Sequence, residues 1–217
     1  MAFAPSERVR APLALKIVVA GGFGAGKTTA VATISEIEPL STDAAMTVVA
    51  EGIDVTDFTP QKTETTAALD FGRITFPDDL VLYLFGTPGQ QRFAFMWDEL
   101  ARGAMGAIVI GDTRRLAESF PAIDYFERRS IPFVLGINCF DGVRLHTTEQ
   151  VREAVSVDPD VPIELFDARE RSSVKEILEV LVQHSLEQAR AALYAARSAS
   201  SGADRTVSPL GSADSCS

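Results

Sequence analysis

The chain has 217 residues, 46% of them hydrophobic, which is enough for one sizeable domain with a buried core. Its formal net charge of −10 argues against a general nucleic-acid binder or a protein that binds anionic membranes, since both need a basic surface. The 2 cysteines do not suggest a disulfide framework, and no apolar run approaches the length of a membrane span. We therefore expect a cytoplasmic protein.

Apolar runs that alternate with polar or glycine-containing segments predict the secondary structure. Residues 1–12 are expected to be a flexible lead-in, and the predicted strands cover 13–20, 67–76, 80–85, 104–111, 131–137 and 162–166. The predicted helices cover 27–37, 93–102, 116–129, 147–155 and a segment from residue 172 onward whose apolar positions share one face. Residues 38–65 are predicted to be irregular, and 77–79 to form the tight turn of an antiparallel hairpin.

Strands that alternate with helices indicate an α/β fold of three layers, with a mostly parallel six-stranded sheet covered on both faces. The predicted hairpin adds one antiparallel edge strand to that sheet. We assign the domain to residues 13–197. Residues 198–217 are rich in Ser, Gly and Ala, and we expect them to be a disordered tail.

A phosphate-binding loop follows the first predicted strand. Residues 21–28 match the pattern G-x-x-x-x-G-K-[ST] in full, and a predicted helix begins directly after them. Glycines let several backbone N–H groups point at a polyphosphate, Lys27 can reach the outer phosphates, and the Thr28 hydroxyl can ligate Mg²⁺. The alternative is a plain glycine turn between a strand and a helix. The residues expected to contact the nucleotide here are Gly21, Gly22, Phe23, Gly24, Ala25, Gly26, Lys27, Thr28 and Thr29.

Polar residues at two later strand ends indicate which base is bound. Asn138 and Asp141 follow the predicted strand 131–137, at the edge of the sheet where ligands of doubly wound folds bind. A buried Asp141 carboxylate can accept from N1–H and the exocyclic amine of guanine, whereas adenine would leave it unpaired. The backbone N–H near Ala168 can donate to the guanine carbonyl. Taken alone, Asn138 and Asp141 also fit a simple turn that ends a strand.

Together these motifs resemble those of the Ras-like small GTPases over about residues 13–195. Within that group, residues 84–93 (LFGTPGQQRF) and 138–142 (NCFDG) are similar to a bacterial branch of gliding-motility and cell-polarity GTPases, and most of all to the GTP-binding proteins of actinobacterial conservons. The resemblance implies a signalling switch that acts with a roadblock-type regulatory protein and a sensor-kinase-like membrane protein. It implies membrane recruitment only through such partners.

The resemblance also implies roles for individual residues. Thr66 matches the first-switch threonine that senses Mg²⁺ and the γ-phosphate, with Thr65 as a close competitor. Gly89 matches the second-switch glycine, whose N–H binds the γ-phosphate, and Gln90 matches the glutamine that orients the attacking water. Lys27, Thr66 and Gln90 are therefore the expected catalytic residues, and Thr28 and Thr66 the expected metal ligands. The implied cofactors are GTP or GDP and Mg²⁺.

The sequence departs from the family pattern at four places. Gly86 stands where the family has an aspartate that holds Mg²⁺ through water, so we expect metal binding to be weakened or to be left to Thr28, Thr66 and the phosphates. Phe23 replaces a small glycine beside the γ-phosphate, and Cys139 replaces a lysine that packs under the base. The segment before Thr66 is also longer than in Ras-type chains.

Other functions stay open on the sequence alone. A P-loop ATPase or kinase is one, because the apolar run 107–111 ends at Asp112 and resembles a strand that supplies a metal ligand. A nucleotide-locked interaction module that does not turn over is another, supported by Phe23 and Gly86. A third is a structural fold with an empty phosphate loop.

Overall fold

The computed structural model of the chain describes residues 13–38, 40–46, 65–77, 80–89 and 95–203. The strands are β1 Leu13–Gly21, β2 Leu40–Met46, β3 Thr65–Phe76, β4 Leu80–Gly86, β5 Gly106–Gly111, β6 Phe133–Asn138 and β7 Ile163–Phe166. The α-helices are α1 Lys27–Ile34, α2 Trp97–Ala101, α3 Phe120–Arg128, α4 Thr148–Val155 and α5 Arg171–Ala203. Short 3-10 turns cover Thr113–Ser119 and Phe140–Gly142.

The described strands form one sheet in the order β2-β3-β4-β1-β5-β6-β7. The five adjacent strands β4, β1, β5, β6 and β7 run parallel to one another. Strand β3 runs antiparallel to both of its neighbours, β4 and β2. The predicted α/β class is confirmed, as is the mostly parallel sheet in which a single strand runs in the opposite direction. The hairpin predicted around Pro77 joins β3 to β4.

The sheet has one strand more than the six predicted. Residues 40–46, which we expected to be irregular, form β2 and pair with β3, so β2 and not β3 is the edge strand. The sequence of β2, Leu-Ser-Thr-Asp-Ala-Ala-Met, has no clear alternation of apolar and polar residues. Its pairing therefore depends on the free edge of β3 rather than on its own pattern.

Apolar side chains cover both faces of the sheet, and this places the core in two layers. Alternate residues of β1 point to opposite faces: Ile17 and Val19 join the cluster under α1 and α5, while Val18 and Ala20 join the cluster under α2, α3 and α4. Every residue of β5 and β6 is buried, as expected for central parallel strands. The polar residues at the carboxyl ends of these strands are therefore attached to a rigid part of the core.

Helix boundaries differ from the prediction where proline intervenes. The single helix expected over 116–129 is divided into the 3-10 turn Thr113–Ser119 and helix α3. Pro121 lies in the first turn of α3, where its missing N–H costs nothing, but it could not continue a helix from residue 116. The helix predicted over 147–155 is present as α4, and Thr147 is its N-cap, where Thr147 and Gln150 form a reciprocal capping box.

Helix α5 has 33 residues and continues to Ala203, past residue 197, where we expected the domain to end. Residues 204–217 of the predicted tail and residues 1–12 of the predicted lead-in lie outside the described residues. Within the part of the chain that the structure describes, no helix is both long enough and apolar enough to cross a membrane.

Candidate functional site

The phosphate loop lies between β1 and α1 and leaves the N-terminus of α1 open. Gly26, the N-cap, has a φ of 110°, a left-handed conformation that favours glycine. A Cβ at Gly26 would also lie 2.5 Å from Nδ2 of Asn138, so only glycine fits. Because no side chain caps α1, its first N–H groups are available to an anion.

Lys27 is buried and folded back onto the loop. Its Nζ donates to the backbone oxygens of Gly21 at 3.0 Å and Gly22 at 2.6 Å. Burial lowers the pKa of Lys27 to about 8, an effect that the carboxylates of Asp70 and Glu118 partly offset. A desolvated ammonium group of this kind gains from an anionic ligand placed beside it.

Gly89, the predicted second-switch glycine, lies against the same loop. A Cβ at Gly89 would be 2.8 Å from Nζ of Lys27 and 2.9 Å from Cα of Phe23, so the backbone there approaches the loop closely. The Phe23 side chain itself is 64% exposed. Its carbonyl accepts a hydrogen bond of 3.1 Å from Nη2 of Arg115, in the turn before α3.

The structure brings Asp70, which the sequence analysis missed, next to the predicted metal ligand Thr28. The Thr28 hydroxyl donates to Oδ2 of Asp70 at 2.7 Å, and Asp70 is buried. Asp70 on β3 pairs in register with Gly86 on β4, and a Cβ at Gly86 would lie 2.9 Å from Oδ2 of Asp70. The carboxylate that the family pattern places at residue 86 on β4 is therefore absent, and β3 supplies one beside Thr28 instead.

A signal for Asp70 was present in the sequence. It is a charged residue inside the apolar run 67–71, and a charge buried in a strand needs a partner or a ligand. Thr66 lies four positions upstream on β3 and pairs with Ala45. The side chain of Thr66 and all of Gln90 lie outside what the structure describes, so their roles stay predictions.

Asn138 links the phosphate loop to the loop after β7. Its Nδ2 donates to the Ala25 carbonyl at 3.0 Å, and its Oδ1 accepts from the Ala168 N–H at 3.1 Å. Asn138 is 6% exposed, so both bonds are shielded from water. The Ala168 N–H, which we expected to donate to a base carbonyl, is engaged by Asn138 in this structure.

Asp141 follows Asn138 at the same edge of the sheet, but it is not buried as we expected. Its side chain is 83% exposed, and Oδ1 accepts a hydrogen bond of 2.8 Å from Nη1 of Arg169. Cys139, between Asn138 and Asp141, is buried and its backbone N–H bonds to the Phe166 carbonyl at 2.7 Å. The loops after β6 and β7 are thus tied together beside Asp141.

Asp112, the metal ligand of the ATPase alternative, is already held by arginine. Oδ1 and Oδ2 of Asp112 each accept a bond of 2.8 Å from the Arg114 side chain, and these bonds lower the pKa of Asp112. The Arg114 guanidinium also lies 3.9 Å from the ring centre of Phe140. Asp112 therefore orders the turn before α3, a structural role that its place in the sequence did not reveal.

Across the residues that the structure describes, no cluster of three or more His, Cys, Asp or Glu side chains could hold a metal ion alone. A metal at Thr28 and Asp70 would have to be shared with the phosphates of a ligand.

These features define a phosphate-loop NTPase fold of the G-domain type. The G domain of the T. maritima FeoB iron transporter superposes with a TM-score of 0.55 at 15% identity, covering 79% of this chain and 99% of that one. The cytosolic domain of the same transporter, in apo form, gives 0.55 at 14% identity over 79% of this chain and 64% of that one. At these identities the likeness shows the fold alone.

Sequence comparison assigns the family. Residues 19–205 match the profile of the family described as "conserved hypothetical ATP binding protein", and the chain belongs to that family. An uncharacterized protein of Methanocaldococcus jannaschii, MJ1339, is 35% identical over 86 residues, which are 39% of this chain and 55% of that protein. The chain thus spans about half the length of that curated relative.

We predict that Asn138→Ala destabilises the protein by about 1–3 kcal/mol, because it leaves a buried carbonyl and a buried N–H unpaired. Urea unfolding of the ligand-free protein measures the change. Cys139→Ala is the matched control: it alters the neighbouring buried residue, whose thiol contacts the Ile137 oxygen only at 3.7 Å. Equal losses in the two variants would contradict the bracing role of Asn138.

We also predict that the pH dependence of stability reports the burial of Lys27. Because the pKa of Lys27 is lowered to about 8, the unfolded chain binds more protons between pH 8 and its ordinary value of 10.5. The free energy of unfolding should therefore rise with pH in this window, by about 1.4 kcal/mol for each unit of pKa depression. Urea unfolding of ligand-free wild type and Lys27→Met tests this, since the rise due to Lys27 must vanish in the variant.

Proposed function

We propose that the chain binds GDP and GTP with Mg²⁺ and acts as a guanine-nucleotide switch with slow GTP hydrolysis. The observation that carries the proposal is the pair of hydrogen bonds made by the Asn138 side chain, one to the phosphate loop and one to the loop after β7. These bonds join the phosphate cradle to the Asp141 loop at the carboxyl edge of the sheet. Nucleotides bind at this edge in doubly wound folds.

The preference for guanine rests on Asp141. An ionised carboxylate only accepts hydrogen bonds, so it pairs with N1–H and the amine of guanine and meets an acceptor nitrogen in adenine. A carboxylate has about four lone-pair positions, and the bond from Arg169 therefore leaves capacity for a base. A base bound there would also shield Asp141 from water, which strengthens each of these bonds.

Hydrolysis in this proposal depends on positioning and charge. Lys27 and the loop N–H groups neutralise phosphate charge, and Gln90 orients the attacking water. Gly89 and Thr66 contact the γ-phosphate and are released when it leaves, which switches both segments. Phe23 stands where the family pattern has a small glycine beside the γ-phosphate, and a bulky residue there would crowd the attacking water, so we propose a slow intrinsic rate.

Mg²⁺ would neutralise charge on the phosphates. Thr28 and Asp70 are the residues that would hold it, directly or through water, together with Thr66 from the first switch. Their oxygens are the hard donors that Mg²⁺ prefers, and the 2.7 Å bond from Thr28 to Asp70 keeps the two side chains adjacent.

The biological setting is proposed by resemblance alone. The sequence phrases around Gly86 and Asn138 are similar to those of conservon and cell-polarity GTPases, and a roadblock-type regulator and a sensor-kinase-like membrane protein are the partners that this similarity suggests. Any recruitment to a membrane would then occur through those partners.

One observation favours a second candidate, an ATP-binding protein: the family to which the chain belongs is described as ATP-binding. The other argument for it, Asp112 as a metal ligand, loses weight because Arg114 already binds both oxygens of that carboxylate. If the protein binds GTP but does not hydrolyse it, the alternative is a nucleotide-locked interaction module. Single-turnover GTP hydrolysis, measured with and without a candidate partner, separates this module from a switch.

We predict that denaturing the purified protein releases GDP or GTP, and that GDP with Mg²⁺ raises the melting temperature while ADP does not. A ligand that binds only the folded state stabilises it by mass action, so at 100 times its dissociation constant it adds about 2.7 kcal/mol. Asp141→Asn should lose the preference for guanine, whereas Asp124→Asn, an exposed change on α3, should keep it. Release of an adenine nucleotide would overturn the proposal.

We predict that Asp70→Asn removes most of the effect of Mg²⁺ on nucleotide release. The dissociation rate of a fluorescent GDP analogue, measured with Mg²⁺ and with EDTA, should differ by about tenfold or more in the wild type and by much less in the variant. The double variant Asp70→Gly/Gly86→Asp moves the carboxylate to the neighbouring strand and should restore the difference, since only removal of the Cβ at residue 70 makes room for a side chain at residue 86. An unchanged Mg²⁺ effect in Asp70→Asn would exclude Asp70 from the metal site.

A further inference from the structure

Two carboxylates lie at the ends of neighbouring parallel strands, and one arginine bridges them. Asp141 follows β6 and Asp167 follows β7. The Arg169 guanidinium donates from Nη1 to Asp141 at 2.8 Å, and from Nε and Nη2 to the two oxygens of Asp167 at 3.0 and 2.8 Å. Without this bridge the two carboxylates would repel each other across the loops.

The bridge is anchored at Asp167. Besides the two side-chain bonds, Oδ1 of Asp167 accepts from the backbone N–H of Arg169 at 2.9 Å, and the Asp167 N–H bonds to the Ser173 hydroxyl at 3.0 Å. Asp167 is 13% exposed, and the hydrogen bonds from Arg169 lower its pKa to about 2. A fork-shaped pairing of this kind fixes the plane of the guanidinium and thereby the direction of Nη1.

Asp141 needs such a restraint. Its backbone has a φ of 58° and the next residue, Gly142, a φ of 71°, so the loop turns sharply there. Its side chain is 83% exposed, and an exposed carboxylate that is otherwise unrestrained samples several rotamers. The bond from Arg169 selects one orientation before any ligand arrives.

We infer that Arg169 is a positioning residue for base selection: it holds the Asp141 carboxylate so that both oxygens align with the two donors of guanine. This inference rests on the proposed function. The chemical class that it concerns is a purine with N1–H and a 2-amino group. Hypoxanthine keeps N1–H but lacks the amine, so its binding depends less on the orientation of the carboxylate.

The test compares GDP with IDP by isothermal titration calorimetry in the presence of Mg²⁺. We expect Arg169→Gln to weaken GDP binding about tenfold and IDP binding by less than about twofold, so that the ratio of the two affinities falls. Arg169→Lys should be intermediate, because a lysine keeps the charge but cannot bridge both carboxylates. Arg128→Gln, which removes an exposed arginine paired with Asp124 at 3.0 Å on α3, is the matched control.

The outcomes separate the two proposals. If the wild type shows no preference for guanine over adenine nucleotides, the proposed function fails and this inference fails with it. If the wild type prefers guanine but Arg169→Gln keeps the wild-type ratio of GDP to IDP affinity, only the role of Arg169 is overturned. An equal loss for GDP and IDP also overturns it, since a general structural defect would weaken both. Equal melting temperatures of the ligand-free variants confirm that folding is unaffected.

Discussion

The two hydrogen bonds of the Asn138 amide are the constraint on which the rest of the site depends. One amide uses its donor toward the phosphate loop and its acceptor toward the loop after β7, and both bonds are shielded from water. The close approach is possible because residue 26 has no side chain. Three segments that are far apart in sequence thereby hold fixed positions, and the distance between the phosphate cradle and Asp141 is set by the fold.

Each ionic group that faces the proposed ligand has an internal partner. Lys27 is bound by loop carbonyls, Asp70 by the Thr28 hydroxyl and Asp141 by Arg169. A protein with these groups unpaired would carry the cost of buried or repelling charges. When a ligand binds, each of these groups exchanges its internal partner for the ligand. The net free energy of binding is therefore smaller than the contacts with the ligand alone suggest.

Much of this architecture could be predicted from local patterns. Apolar runs predicted six strands, a glycine-rich motif predicted the phosphate loop, and the helix predicted from Thr147 is α4. Each of these signals lies within a few adjacent residues. What local patterns missed depends on neighbours across the sheet. Strand β2 forms only against β3, Asp70 acts beside Thr28, and Arg169 meets Asp141 across two loops.

The burial of Asp141 was predicted wrongly for a related reason. Its place after a buried strand suggested an enclosed carboxylate, but the strand ends at Asn138 and the turn that follows carries Asp141 out to solvent. Burial of a strand does not extend to the loop beyond it, since exposed loops satisfy their backbone with water.

Residues 70 and 86 face each other so closely that only one of them can carry a carboxylate without displacing the other. The carboxylate next to Thr28 can consequently be supplied by residue 70 or by residue 86, but not by both. A motif search that demands aspartate at the β4 end would discard this chain, whereas a search that inspects both members of the pair would keep it. Glycine at one member is then a reason to look for acid at the other.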